Sequence, residues 1–337
     1  MPTIEQLREL QAMPLERKYQ LTVARVMEFY QHFDGEVRVS FSGGKDSTVL
    51  LDIIRGIYPD VIANFYNTGV EFPEIVEFVK TVPNVNILRP EKSFRQCLKE
   101  YGYPVVNKFV SREIKIARNT PDGKVCVFLK KYLNNPTLND SKYGKFAFLM
   151  NAPFKTTDKC CDELKKKPFK KWIKENNFKG GVFIGTTCEE GKNRQRAWLS
   201  TGCNTFESSF GYGISRPLSF WTEQDILEYI RRKNLPISSV YGEIVEEDGK
   251  LHCTGQDRTG CMFCLFSPIN KLLTGTSKLL LLRERYPKLY EYAMKPFAEG
   301  GLGYRDVLNW LQENYVENMK LRVKRPERLL KYLEYKY

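Results

Sequence analysis

The sequence predicts an α/β protein with a mostly parallel sheet and helices on both of its faces, joined to a mainly helical C-terminal region. Three observations carry this. Short apolar strands alternate with helical segments over residues 35–90, a glycine-rich loop joins the first strand directly to a helix, and beyond about Lys271 apolar residues recur mainly at helical spacing.

The elements follow in order. Ile4, Leu7 and Leu10 share one helical face, as do Val23, Val26 and Phe29, and Pro14 between them marks a break between two helices. After Gly35 the run Val37-Arg38-Val39-Ser40-Phe41 alternates as a strand. The loop Ser42-Gly43-Gly44-Lys45-Asp46-Ser47 follows, then an apolar helix from Thr48 to Ile54 that stops near Gly56 and Pro59. Residues 61–66 read as the second strand, 73–81 as a helix, 85–88 as the third strand and 181–185 as a fourth. Strand and helix alternating at this rhythm give right-handed βαβ units. Thr222 caps a helix from Glu223 to Ile230, whose acidic first turn suits the helix dipole. The stretch 95–178, rich in Lys, Tyr, Asn and Pro, reads as an insertion of helices and loops.

Composition narrows the function classes. The 337 residues are 42% hydrophobic and 28% charged, ordinary for a globular protein. No stretch approaches the roughly 20 apolar residues of a membrane span, and the N-terminus has no signal-peptide pattern, so a cytoplasmic location and no membrane partner are expected. The net charge of +13, from 53 Lys and Arg against 40 Asp and Glu, favours phosphate-rich partners. Nine cysteines in such a chain are not a disulfide framework. Cys97, Cys126, Cys188, Cys203 and Cys253 lie apart and read as buried packing residues. Neither His32 nor His252 stands in an acid–base pattern.

The loop carries the chemistry. Gly43 and Gly44 let backbone approach a ligand without a Cβ clash. The following helix offers unpaired N–H groups and its positive end, which suit a phosphate. Lys45 adds a charge, Ser42 and Ser47 add hydroxyls, and Asp46, which would repel a bare phosphate, implies a bridging Mg²⁺. The spacing is neither Walker A nor GxGxxG. Arg194 and Arg196 fall near the C-terminal end of the 181–185 strand, the edge where open α/β sheets bind ligands; an ion pair with Glu189 or Glu190 is the plainer alternative for either. Three regions result: a helical segment 1–34, a nucleotide-binding α/β domain 35–235 with the insertion 95–178, and a C-terminal region 236–337.

Cys160-Cys161 and the Cys261/Cys264 CxxC supply four thiolates from two segments, enough for a [4Fe–4S] cluster or a tetrahedral zinc. Lys159, Lys165, Lys166 and Lys167 would offset the charge of a tetrathiolate centre.

The loop resembles the PP-loop of the N-type ATP pyrophosphatases and the related phosphoadenosine phosphosulfate (PAPS) reductase family. Asn67-Thr68-Gly69-Val70-Glu71-Phe72-Pro73-Glu74 resembles that family's Asp-Thr-Gly…Phe-Pro-Glu segment, with Asn67 where Asp is usual. Tyr101-Gly102-Tyr103-Pro104, Ser215-Arg216-Pro217-Leu218 with Trp221 to Ile226, and Arg258-Thr259-Gly260-Cys261 are family-like too. The resemblance implies an adenine nucleotide α-hydrolase-like fold, ATP or an adenylyl sulfate at Ser42–Ser47 and Asn67–Gly69, and attack at the α-phosphate aided by Lys45, Asp46, Arg194 and Arg196. The Cys-Cys…Cys-x-x-Cys order resembles the cluster arrangement of adenylyl-sulfate reductases, which implies iron–sulfur at Cys160, Cys161, Cys261 and Cys264. Reductases of the family end in a nucleophilic cysteine, whereas here the last cysteine is Cys264 and the tail reads 331–337 without one. The expected activity is therefore ATP-dependent adenylation (an ATP pyrophosphatase of sulfur metabolism, sulfurtransferase-like). The acceptor is plausibly a nucleic acid, with a cysteine desulfurase or another sulfur donor as partner. An adenylyl-sulfate or PAPS reductase with an external thiol donor, and a nucleotide-binding protein without turnover, are the alternatives.

Overall fold

The computed structural model describes residues 2–120, 144–274 and 278–320; Cys126 and the tail 331–337 lie outside them. Helices α1 (Ile4–Ala12) and α2 (Leu15–His32) precede strand β1 (Val37–Ser40), helix α3 (Lys45–Arg55), strand β2 (Ala63–Tyr66), helix α4 (Pro73–Thr81) and strand β3 (Val85–Leu88). Helices α5 (Phe94–Tyr101) and α6 (Lys108–Arg118) come next. They are followed by α7 (Lys167–Glu175), β4 (Gly181–Ile184), α8 (Lys192–Thr201), β5 (Asn204–Thr205), β6 (Gly213–Ser215) and α9 (Glu223–Lys233). A hairpin of β7 (Ile244–Glu247) and β8 (Lys250–Cys253) leads to α10 (Ile269–Leu273), α11 (Lys278–Arg285), α12 (Pro287–Met294) and α13 (Tyr304–Lys320). The described residues fall into two compact units, one drawn from 1–90 and 167–260, the other from 91–166 and 261–337.

The first unit holds a six-stranded sheet in the order β3-β2-β1-β4-β6-β5, parallel except for β5. Strand order reverses at β1, which pairs β2 on one side and β4 on the other. That reversal makes the C-terminal end of β1 the crevice where such sheets bind ligands. Both faces carry helices. Phe29 of α2 packs on Phe183 of β4 with ring centroids 4.9 Å apart, while on the opposite pleat Arg38 of β1 lies 5.8 Å from the Trp172 ring of α7. A buried Lys18–Asp225 ion pair of 2.6 Å joins α2 to the capping box that opens α9.

Several expected boundaries shift. The loop helix begins at Lys45 and not at Thr48, because Gly44 in extended conformation is its N-cap and the charged residues already have helical geometry. Ladder pairing of β2 begins at Ala63, two residues later than the apolar run. Strands β5 and β6 and the β7–β8 hairpin carry no clear alternation, being only two to four residues long.

In the second unit, α13 buries Tyr304, Leu308 and Leu311 in a core shared with Leu272, Leu282 and Met294. Trp310 stacks on Phe148 at 5.7 Å and meets Phe154 edge-on at 5.4 Å. The Tyr304 hydroxyl, fully buried, donates to the Phe263 carbonyl, which fixes the residues beside Cys264.

Candidate functional site

The loop leaves β1 through a left-handed Gly43 at φ +70°. A Cβ there would stand 2.8 Å from Val79 Cγ2 and 2.9 Å from Ile75 Cγ2, so α4 closes on the loop as only glycine permits. The loop then ties itself together. Ser47 Oγ donates to the Gly44 carbonyl at 2.8 Å, Thr48 Oγ1 does so at 3.0 Å, and the Ser42 and Ser47 hydroxyls meet at 3.0 Å. No side chain caps α3. The Lys45 backbone N–H donates to the Tyr241 hydroxyl at 3.2 Å, which in turn meets Thr259 Oγ1 at 3.1 Å. Two hydroxyls thus sit at the positive end of the helix, where an anion's oxygens would be bound.

Charge at the loop is unevenly balanced. Lys45 is only 2% exposed; its ammonium pairs with Glu223 at 2.8 Å and donates to the Asp257 carbonyl. Burial pulls its pKa down, but the Glu223 hydrogen bond and the charges of Asp46 and Glu223 more than offset this, and the net shift is upward. Burial raises the Asp46 carboxyl to about 6; Lys45 opposes the rise, and the negative charges of Glu223 and Glu190 add to it. A half-buried carboxylate with two further carboxylates in its field, countered by Lys45 and Arg258, fits a divalent cation of the Mg²⁺ kind.

Asn67, Thr68 and Gly69 follow β2 in the same unit. Their polar groups serve the turn: the Gly69 N–H donates to Asn67 Oδ1 at 3.0 Å, and Thr68 donates to both Glu71 carboxylate oxygens, at 2.9 and 2.7 Å. Arg194 lies on the first turn of α8 in an exposed 3.4 Å contact with Glu190, while Arg196 points to solvent. The ion pair set beside the functional reading is thus present for Arg194. The sequence names Glu190 only as an ion-pair partner and Thr259 only within a family-like run, and it points to no site role for Glu223, Tyr241 or Asp257. Glu223 was legible only as a dipole-favouring first-turn acid, and nothing local distinguishes Tyr241.

The four clustered cysteines all belong to the second unit. Cys160 is buried, and its thiol is pushed well up by the hydrogen bond to Cys161, by burial, and by the charges of Cys161, Cys264 and Cys261. The Cys161 thiol is pulled down to about 6, chiefly by the Cys160 hydrogen bond, with burial opposing and Lys108 and Lys165 assisting. Burial raises Cys264 to about 11, with Cys261 and Cys161 adding to it and Lys278 opposing. The four sulfurs therefore share one electrostatic neighbourhood. Among the described residues, no three His, Cys, Asp or Glu side chains stand in the arrangement of a metal site. As a donor set, four thiols with nearby lysines fit a [4Fe–4S] cluster. Of the lysines expected around the pair, Lys165 acts on Cys161, while Lys166 pairs with Asp162 at 2.6 Å and Lys159 lies over the Tyr101 ring at 5.2 Å. Lys108 and Lys278 are counter-charges found only in three dimensions.

A glycine-built phosphate loop at the switch point of a parallel sheet defines a nucleotide-binding α/β protein of the PP-loop class. The sequence matches the phosphoadenosine phosphosulfate reductase domain over residues 36–119 and 125–256, and the chain belongs to that family. An uncharacterized protein of Methanocaldococcus jannaschii is 23% identical over 78% of this chain, which spans only 41% of that relative's length. An adenosine 5'-phosphosulfate reductase of Staphylococcus epidermidis is 24% identical over 67% of this chain and 73% of its own. Among solved structures, phosphoadenylyl-sulfate (PAPS) reductase from Candida auris is 15% identical, covering 74% of this chain and 98% of that one at a TM-score of 0.38. FMN adenylyltransferase of Candida glabrata, with FMN and an ATP analogue, is 12% identical over 70% and 64% at a TM-score of 0.39. No helix among the described residues is long and apolar enough to cross a membrane.

Proposed function

We propose that the chain is an ATP-dependent adenylating enzyme of sulfur metabolism, in which a PP-loop in one unit activates an acceptor and a four-cysteine iron–sulfur centre in the other serves sulfur handling. The observation that carries the ATP reading is the acidic setting of the loop: Asp46 is half-buried beside Lys45, with Glu190 and Glu223 in its field. A triphosphate brings a bound Mg²⁺ with it, and these carboxylates suit that cation better than they suit a bare sulfonucleotide. Asp46, with Glu190 and Glu223, would hold Mg²⁺, which would supply charge neutralisation at the phosphates.

The chain's own groups do the rest. The α3 N–H groups and the Ser42, Ser47 and Thr259 hydroxyls grip the β- and γ-phosphates. Lys45 exchanges its internal partners for phosphate oxygens. An acceptor oxygen attacks the α-phosphorus, the bond to the bridging oxygen breaks, and pyrophosphate leaves with the electron pair. Arg194 and Arg196, near the sheet edge, would serve the α-phosphate or the acceptor, Arg194 by giving up its exposed contact with Glu190. Cys160, Cys161, Cys261 and Cys264 would hold the cluster. A cysteine desulfurase or similar donor would supply sulfur, and a nucleic acid is the acceptor class that the charge of +13 favours.

A second reading is an adenylyl-sulfate or PAPS reductase using an external thiol donor; the matched family and the staphylococcal relative favour it. The two separate on one assay of the anaerobically purified protein, comparing AMP and pyrophosphate formed from Mg·ATP with sulfite formed from adenylyl sulfate plus thioredoxin. ATP bound without turnover would point instead to a nucleotide-binding protein.

A further inference from the structure

The second unit carries a cavity of about 350 Å³ lined by Glu100, Tyr101, Lys115, Arg118, Asn119, Lys155, Thr156 and Lys159, near the lower end of the size range of small-ligand sites. Its wall is built by the Tyr101-Gly102-Tyr103-Pro104 segment. Gly102 has φ +94°, and a Cβ on it would stand 2.1 Å from the Lys155 carbonyl oxygen, so only glycine admits the extended segment around Thr156 this close. The Tyr103 N–H donates to the Lys155 carbonyl at 2.8 Å, and the Thr157 N–H donates to the Tyr103 carbonyl at 3.0 Å. Thr156, 1% exposed, donates to the Ser111 carbonyl of α6 at 3.1 Å, and the Ser111 hydroxyl donates to the Val105 carbonyl at 2.7 Å. Backbone and buried hydroxyls are locked together, which leaves Lys155 and Lys159 lining the cavity on a fixed frame.

The charges do not cancel. Lys115 is matched by Asp158 at 2.7 Å, and Glu100 by Lys92. Among the described residues Arg118 donates to the neutral Phe154 carbonyl at 2.6 Å, and Lys159 lies over the Tyr101 ring. Lys155 is exposed and has no ion pair among the described residues. Among the described residues, three cations therefore line one concavity without an ion pair of their own. A concave notch of this size excludes a flat bilayer and a wide duplex, while a single strand can lay its backbone into it.

We infer that this cavity binds the phosphate backbone of a single-stranded nucleic acid through Arg118, Lys155 and Lys159. The identity of the polyanion rests on the acceptor reading above; the anion affinity of the cavity does not. Lys159 and Cys160 are consecutive, so a strand held here lies beside the clustered thiols.

The test is fluorescence anisotropy of a labelled single-stranded RNA against the full chain over a salt series. The variants are Lys155→Glu and Arg118→Gln, with Lys174→Glu on the exposed face of α7 as a control for bulk charge. The inference expects Lys155→Glu to weaken binding roughly tenfold and to lower the salt slope by about 0.7 per lost contact. Lys174→Glu should change neither, and ATP binding and thermal melting should be the same in all three. Equal losses in the Lys155 and Lys174 variants would overturn the site as bulk charge. Binding of inorganic phosphate in the cavity without RNA affinity would overturn the nucleic-acid assignment. Pyrophosphate release from Mg·ATP is measured in parallel. If it persists while RNA fails to bind, this inference fails alone, and if RNA binds at the cavity without any release, the adenylation reading fails alone.

Discussion

The phosphate loop and the four-cysteine neighbourhood are both charged, partly buried and rich in functional atoms, yet they are stabilised in opposite ways. The loop is closed by near neighbours in sequence: Ser42, Gly44, Ser47 and Thr48 satisfy one another within a few residues, and Lys45 has an internal carboxylate in Glu223. The cysteines come from segments about a hundred residues apart, and their thiols act on one another across that separation, the charges of Cys161 and Cys261 raising Cys160 and Cys264 while the Cys160 hydrogen bond lowers Cys161. A site closed by local hydrogen bonds is preformed, whereas one assembled from distant like-charged donors depends on what it binds.

The largest expected effect tests the preformed side. Gly43→Ala puts a Cβ against Val79 and Ile75 at a left-handed φ, which displaces the loop backbone from any phosphate. ATP affinity measured by calorimetry should fall roughly 100-fold, the loss of about two charge-assisted hydrogen bonds. Gly44→Ala meets only hydroxyl oxygens at 3.1 and 3.2 Å, so it should bind more weakly yet melt near the parent, and Gly44→Val should abolish binding while the protein stays folded. Equal affinities for the Gly43 variant and the parent would remove the loop from the site.

The ligand-dependent side breaks differently. Cys264→Ser or Cys160→Ser should cut the iron of anaerobically prepared protein to a trace and lower its melting temperature. Cys97→Ser, buried in α5 of the same unit, should retain the iron. Stoichiometric zinc without iron would replace the cluster by the tetrahedral alternative.

A smaller effect sharpens the charge argument at the loop. The folded pKa of Asp46, about 6, lies above its ordinary 3.8, so the stability this proton contributes is full below the unfolded value and is lost as pH rises through about 6. Asp46→Asn should therefore stabilise the ligand-free protein at neutral pH by on the order of 2–3 kcal/mol, with no gain in strong acid, while ending Mg·ATP binding. Denaturant melts across pH read this directly, and a variant less stable at neutral pH would contradict it.

How legible each region was in the sequence follows from the same contrast. Strand β1, the loop and α3 could be read because glycines, strand alternation and helix register all lie within twenty residues. The helix start moved from Thr48 to Lys45 because its cap is a glycine with no side-chain signature. Glu223, Tyr241 and Asp257 escaped because they reach the loop from about two hundred residues away, and a lone tyrosine or first-turn glutamate has a plain helical role. The cysteines were conspicuous by spacing, but their counter-charges Lys108 and Lys278 were visible only once folded.

The smallest expected effect lies between these residues. Glu223→Gln releases Lys45 from its internal ion pair but also removes one of the carboxylates proposed for Mg²⁺, so affinity for metal-free ATP should rise by a few-fold at most, the pair being partly exposed at Glu223, while affinity for Mg·ATP should not rise. Lys45→Ala should lower affinity, because one phosphate-facing charge is lost.

The central claim is that the loop turns over a nucleoside triphosphate, and the direct measurement is product analysis on one anaerobic preparation given Mg·ATP or adenylyl sulfate with thioredoxin. The account predicts AMP and pyrophosphate from Mg·ATP, lost in Asp46→Asn, and little sulfite from adenylyl sulfate. Sulfite released at a rate matching or exceeding ATP turnover would contradict it and make the chain a reductase.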